Sequence, residues 1–360
     1  MKNKIFDIYL KVLISILTFF RILEWSKKID HHKLIGRDSV IIKEAKRRNW
    51  LIESLKRKGK DTGIFRVKIN GKFILFDRIP LGSSYQKISD EEVSNKWITK
   101  KLLEKENLPT PRGELIEDSR EAMQFIKKFG FPVVIKPLKE SKCIGVTTDI
   151  NNKKELEEAI EYAKKYGQQI LIEEFLKGRN YRLTVIDGKV EAACERIRPF
   201  IPGDGVHNIR QLIKFKNRDP RRKKTKNSSI HPITIDRFTK KILSRMGYNL
   251  NSIPPKDKNI TLSKRINLGA GAETIDITEK VHPQIARLAI KVADICDAKV
   301  LGLDVLANDI AKAPSRKNLV TIIEVNPYPL IEMHHFPYEG KPRNVAGAIW
   351  DMVLNDHMPS

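Results

Sequence analysis

The chain has 360 residues, 41% hydrophobic and 31% charged, an ordinary globular balance with length for two or three packed units and a sizeable core. Its 68 lysines and arginines against 44 acids leave a net charge of +24, so the partners to expect are anionic: nucleic acid, an acidic membrane surface or an acidic peptide. The three cysteines, Cys143, Cys194 and Cys296, match no metal or disulfide spacing, so no cysteine chemistry is proposed and a reducing, cytoplasmic setting is the default expectation.

Residues 5 to 25 come first. The uncharged run from Val12 to Phe20 falls far short of the roughly 20 residues that cross a bilayer, and Lys11 and Arg21 bound it. On a helical wheel Lys4, Asp7, Lys11, Ser15, Thr18 and Arg21 share one polar stripe, while Phe6, Leu10, Leu13, Ile16, Leu17, Phe20 and Trp25 lie outside it. The pattern predicts an amphipathic helix with a wide apolar face. Such a helix lies in a membrane interface, helped by Lys2, Lys4, Lys27 and Lys28, or packs on the protein or a partner subunit, and the sequence favours neither. No small-residue cleavage pattern follows, which disfavours a signal peptide.

A helix is expected over Val40 to Arg57, then strands Gly63 to Lys68 and Lys72 to Phe76 joined by an Asn70-Gly71 hairpin turn. A further helix, about Asp90 to Glu106, ends before Pro109 and Pro111 and carries Lys96. Asp118 and Glu121 form a capping box for a helix that stops at Gly130. Strand Phe131 to Ile135 then leads to Lys136-Pro137, where proline ends regular pairing and leaves the lysine at the strand end. A helix over Asn152 to Tyr166, a strand over Gln169 to Phe175, and a hairpin of Arg182 to Ile186 with Val190 to Cys194 around Asp187-Gly188 follow. Alternating strands and helices with antiparallel hairpins make the class α+β. The basic run Arg218 to Lys226 lacks apolar periodicity and reads as a solvated loop in preference to a nucleic-acid patch. Helices are expected over Ile233 to Met246 and 280 to 298.

The last strands, Val300 to Leu306 and the stretch Leu319 to Pro329, suit an antiparallel hairpin. Glu324 and Asn326 are two residues apart and point to one face of their strand, and the hairpin brings Asp304 within reach. Three hard oxygen ligands so placed suit the Mg²⁺ of a nucleotide better than a closed protein cage; a solvated outer face is the other reading. Lys136 offers a point charge for phosphate oxygens, and Glu173-Glu174-Phe175-Leu176, at the end of an apolar strand, offers hydrogen bonds to a base. Each of these alone is also a plain strand-end feature.

In this order the pieces resemble the ATP-grasp ligases, and in particular the ATP-grasp region of the cyanophycin synthetases and the glutathione-synthesising ligases. The resemblance covers roughly residues 38 to 354. It rests on Asn95-Lys96-Trp97-Ile98-Thr99-Lys100, Val133-Val134-Ile135-Lys136-Pro137, residues Glu173 to Arg182, Gly203-Asp204-Gly205-Val206-His207, Val281-His282-Pro283, Leu303-Asp304-Val305 and Ile323-Glu324-Val325-Asn326. It implies a small α/β unit over 34–92 after an anchor helix in 1–33, and an ATP-grasp domain over 93–356 whose lobes, 93–175 and 176–356, clasp ATP.

By position, the resemblance implies that Lys96 and Lys136 contact ATP phosphates, assisted by Ser141. Glu173 meets the adenine amino group, the backbone of Glu174 and Leu176 completes the base edge, and Asn180 stands at the ribose. Asp304, Glu324 and Asn326 hold Mg²⁺, or Mn²⁺ in its place. Arg265 sits beside the reacting carboxylate, with Arg182 and Arg196 as further phosphate or carboxylate ligands. The implied reaction joins a carboxylate to an amine through an acyl phosphate, on an amino acid or acidic peptide. The chain departs from its relatives at Lys139 to Ile144, where they carry glycines, at Asn180, where they carry an acid, at Gly269 to Ala272 and at Pro329-Leu330. The relatives' Mur-ligase-like half has no counterpart, so alternating addition of aspartate and arginine by this chain is not expected. Two other functions stay open: a non-catalytic ATP-binding module, and a basic nucleic-acid- or ribosome-associated protein. A homo-oligomer is compatible with all of them.

Overall fold

Four antiparallel sheets organise the residues that the computed structural model describes, which are 2–30, 34–81, 95–138, 144–223, 230–264, 266 and 268–357, with side chains from Tyr9 to Asp356. The first sheet has strands β1 (Leu23–Ser26), β2 (Ile52–Arg57), β3 (Lys60–Ile69) and β4 (Lys72–Asp77) in that order. Successive side chains on a strand alternate faces, and this sheet uses both. Helix α1 (Lys2–Phe19) sets Leu10, Ile14 and Leu17 on Leu23, Leu55, Ile64 and Leu75, while α2 (Gly36–Arg47) packs Ile41, Ile42 and Ala45 on the other face with Phe65, Val67 and Phe76.

Two expectations are corrected here. The helix expected to run to Arg57 ends at Arg47: Asn49 is left-handed with φ 58°, and residues 52–57 form β2 between β1 and β3. Tertiary packing overrides propensity there, because Leu55 is fully buried under α1 and Arg66 pairs with Glu53 across the strands at 2.7 Å. The N-terminal helix stops at Phe19 and not near Trp25. Arg21 takes a left-handed φ of 56°, Ile22 N–H donates to Leu17 C=O at 2.9 Å, and the chain turns straight into β1.

The second sheet runs β5 (Gly113–Ile116), β8 (Ile170–Glu174), β6 (Val133–Pro137), β7 (Thr147–Ile150). Its core comes from α4 (Ser119–Phe129) and α5 (Lys153–Lys164), which bury Phe125, Ile126, Leu156 and Ile160. Helix α3 (Lys96–Lys105) precedes it, capped by the Asn95 side chain on the Trp97 and Ile98 N–H groups. The third sheet runs β13 (Glu273–Asp276), β10 (Lys189–Ile197), β9 (Arg179–Ile186), β14 (Val300–Ala307), β15 (Val320–Asn326). One face is covered by α8 (Pro283–Ile295), against Tyr181, Leu183 and Leu303. The other is covered in part by α2, α9 (Glu332–His335) and α10 (Val345–His357), whose Trp350 is fully buried and donates to Ile41 C=O at 3.0 Å. That leaves the rest of the face for polar residues. Between β10 and β13 lies an insertion of β11 (Phe200–Pro202), α6 (Ile209–Lys216), α7 (Arg237–Arg245) and β12 (Asn259–Thr261) with its own small core.

The hairpins follow their turn residues: Asn70 and Gly71 have φ 49° and 79°, and Asp187 and Gly188 have 46° and 74°, which glycine and Asn or Asp adopt at least cost. The basic run from Arg218 is only partly a solvated loop. Arg222 is buried and binds Glu273, because an acid on the facing strand β13 draws it inward.

Candidate active site

Pairing on the second sheet sets Val134 opposite Glu173, so Glu173 and Lys136 share one face. The Lys136 ammonium lies 2.6 Å from Glu173 Oε2, and Lys100, from the second turn of α3, lies 3.0 Å from Oε1. All three are buried. Gly113, paired to Glu173 on β5, makes the room: a Cβ there would stand 2.9 Å from Glu173 Cγ and 3.1 Å from Lys100 Cε. Burial lowers the Lys100 pKa, with the Glu173 charge opposing it. Glu174 turns outward to Arg112 at 2.6 Å; burial would raise its pKa, but the Arg112 bonds hold it below the usual range. Its N–H is taken by Arg112 C=O, whereas the Leu176 N–H has no acceptor among the described residues.

On the third sheet Asp304 pairs with Arg182 on one side and Glu324 on the other, and Gly302 pairs with Asn326. All of these lie on the face left open by α8. Arg182 Nε donates to Asp304 Oδ1 and an Arg196 amino group to Oδ2, each at 2.5 Å, while Arg196 Nε donates to Asn180 Oδ1 at 2.7 Å. Burial would raise the Asp304 pKa, but the two guanidiniums outweigh it and hold the carboxyl below its usual range. Glu324 faces Lys96 at 3.9 Å.

A narrow cleft of about 10 Å³ joins the two sheets, lined by Lys96, Lys100 and Glu173 on one side and Ile323, Glu324 and Val325 on the other. Lys136 pairs with the cleft's Glu173, and Arg182 and Arg196 pair with Asp304 on the strand beside Glu324, so that five cations (with Lys96 and Lys100) meet three carboxylates in these linked pairs, an excess of two positive charges. This suits a polyanion. The donors also fit a hard divalent cation. Glu324 is half-buried, and each Asp304 oxygen has a second acceptor position beyond its arginine bond. Ser141 and Arg265 lie outside the described residues.

Sequence reasoning missed Lys100, although it lies four residues after Lys96 on the same face of α3 and could have been found by that spacing. The adjacent pair His334-His335 is internal. His334 is buried, its Nε2 2.9 Å from Thr184 Oγ1, and His335 Nε2 accepts from Ala346 N–H at 3.0 Å. Burial pushes their pKa values down to about 3 and about 4, so both are neutral. Glu332, also missed, is buried against Gly36 of the N-terminal unit with Oε2 unpartnered, and burial raises its pKa to about 7.

The second sheet thus carries Lys136 and Glu173, the third carries Asp304, Glu324 and Asn326, and the cleft lies where Glu173 and Glu324 face it. Residues 106–219 match the family model of the D-ala D-ala ligase C-terminus. The chain is 38% identical over 267 residues to a cyanophycin synthetase of Trichormus variabilis, covering 73% of this chain and 29% of the relative. It is 33% identical over 261 residues to a glutathione biosynthesis bifunctional protein of Streptococcus agalactiae, covering 71% of this chain and 35% of that protein. The chain thus spans about a third of the length of these curated relatives. The bifunctional glutathione synthetase of Pasteurella multocida shares the fold, with a TM-score of 0.67 and 24% identity over 90% of this chain and 44% of that one. The matched region is similar to the ATP-grasp region of these ligases, and the chain shares their fold.

Proposed function

We propose that the protein is an ADP-forming carboxylate–amine ligase that uses ATP with Mg²⁺ or Mn²⁺ and acts on an amino acid or an acidic peptide. The observation that carries this reading is the pair of buried carboxylates, Glu173 and Asp304, each held by two cations, the first lining the cleft and the second paired in register with Glu324, which lines its other side. In this reading phosphate oxygens compete with Glu173 for Lys136 and Lys100, and the released carboxylate turns to the adenine amino group beside the Leu176 N–H. Lys96 reaches the phosphates from α3. A divalent cation held by Asp304, Glu324 and Asn326 would neutralise phosphate charge. Arg182 and Arg196 keep Asp304 ionised and orient it, and Asn180 steadies Arg196.

A substrate carboxylate oxygen attacks the γ-phosphorus, the bond to the β-bridging oxygen breaks, and ADP leaves. The neutral amine then attacks the acyl carbon of the acyl phosphate. The C–N bond forms, the C–O bond to phosphate breaks, and the amine nitrogen gives up a proton. Positioning and charge neutralisation do this work, and no nucleophilic side chain is needed. Arg265 and Ser141 belong to the same proposal as carboxylate and phosphate ligands, as do the cytoplasmic setting and contact of residues 5–25 with a membrane surface.

The test is ADP release on mixing the protein, ATP and Mg²⁺ with pairs of amino acids and short acidic peptides. Release that depends on both partners and is lost in Lys136→Ala is expected. ATP binding without turnover for any pair would make the protein a non-catalytic nucleotide module. RNA binding with a steep salt dependence, and no nucleotide binding, would make it a nucleic-acid partner.

A further inference from the structure

The apolar arc of α1 is wider than the sheet beneath it. At about 100° per residue, Leu10, Ile14 and Leu17 occupy one flank of the arc, and these are the residues packed on β1, β2, β3 and β4. Tyr9, Val12, Ile16, Phe19 and Phe20 fill the adjoining roughly 120° and are exposed by 63%, 52%, 47%, 82% and 65%. Ile22, just past the helix, is 48% exposed. The polar flank is short and locally satisfied, since Ser15 Oγ donates to Lys11 C=O at 2.9 Å and Thr18 Oγ1 to Ile14 C=O at 2.7 Å. An exposed apolar strip of this kind marks an interaction surface.

Charge selects the occupant. Among the described side chains from Tyr9 to Lys28, Lys11, Arg21, Lys27 and Lys28 are exposed against one exposed acid, Glu24, and the chain carries +24. A second copy would bring the same charges face to face. No helix among the described residues is long and apolar enough to cross a membrane, and one flank of α1 is already fixed to a sheet, so the helix can only lie flat. We propose that the outer face of α1 docks on an anionic lipid surface, with Tyr9, Val12, Ile16, Phe19 and Phe20 entering the headgroup–acyl boundary and Lys11, Arg21, Lys27 and Lys28 facing the lipid phosphates. The turn at Arg21 and the pairing of β1 with β2 couple this face rigidly to the N-terminal sheet. The inference rests on the membrane-contact part of the proposed function and not on its ligase chemistry.

The test is co-sedimentation of the full chain with vesicles of phosphatidylcholine alone and of phosphatidylcholine mixed with phosphatidylglycerol. Binding to the mixed vesicles only is expected, falling roughly tenfold or more in Phe19→Ser/Phe20→Ser, and weakening with salt and in Lys27→Glu/Lys28→Glu. Far-UV circular dichroism and thermal melts establish that these surface variants fold. Lys136→Ala should bind vesicles as the parent does, which separates this inference from the ligase reading. Absence of binding to the mixed vesicles, or binding that survives Phe19→Ser/Phe20→Ser, overturns it. Concentration-dependent self-association abolished by the same double substitution, without vesicle binding, overturns it in favour of a second copy.

Discussion

Replacing Asp304 by Asn removes one negative charge from between Arg182 and Arg196 while keeping shape and one acceptor oxygen. In the parent the carboxylate is buried and accepts two charge-assisted bonds at 2.5 Å. Such bonds contribute about 1.5–3 kcal/mol each, and removing one partner of a buried ion pair costs about 3–5 kcal/mol because the other charge is left uncompensated. Here two guanidiniums are stranded, and the Asn amide meets one of them with donor against donor. A loss of about 3–5 kcal/mol is expected, or roughly 6–20 °C in melting temperature at about 2–4 °C per kcal/mol. The depressed pKa of Asp304 fixes the sign with pH. Its folded value lies below the unfolded one of about 4, so its contribution is full above that pH and is lost as pH falls through the folded value. Thermal melts of parent and Asp304→Asn should therefore differ most near neutrality and converge in acid. A pyrophosphate anion, able to pair with the freed arginines, should restore more stability to the variant than to the parent. Equal melting temperatures at neutral pH would refute this account of Asp304.

Glu332 gives a pH effect of opposite sign. Its folded pKa of about 7 is raised by burial, so the parent loses stability as pH climbs from the unfolded value through 7, and Glu332→Gln should be the more stable by up to roughly 3 kcal/mol at pH 8 and equal at pH 4 in urea titrations. Gly36→Ala would place a methyl 2.5 Å from Glu332 Cγ; a loss of about 1–3 kcal/mol is expected, mostly relieved in the double variant Gly36→Ala/Glu332→Ala. Lys100→Met removes one of two cations on Glu173, and nucleotide affinity measured by calorimetry should fall at least about tenfold, while an unchanged affinity would take Lys100 out of the site.

Much of this site follows from period and turn chemistry alone. Alternation puts Glu324 and Asn326 on one face, the hairpin adds Asp304, and Asn70-Gly71 and Asp187-Gly188 announce their turns because the backbone there needs left-handed φ. What escaped depends on neighbours distant in sequence. Strand β2 carries Glu53, Lys56 and Arg57 and has no strand pattern of its own, and it becomes one only between β1 and β3. Arg222 looks solvated until Glu273 reaches it across 51 residues. Nothing in the local pattern around His334 marks it as internal; Thr184 on the third sheet encloses it. The wide apolar face of α1 was legible, but its division into a packed flank and an open flank needed the first sheet in place.

The acyl-phosphate step is the centre of the proposed chemistry, and label transfer tests it most directly. A carboxylate substrate that supports ADP release would be labelled with heavy oxygen, and the released phosphate analysed by mass spectrometry. One labelled oxygen in each phosphate is expected, since the attacking carboxylate oxygen leaves with phosphorus when the amine displaces it. Phosphate without label, formed alongside the amide, would contradict the mechanism.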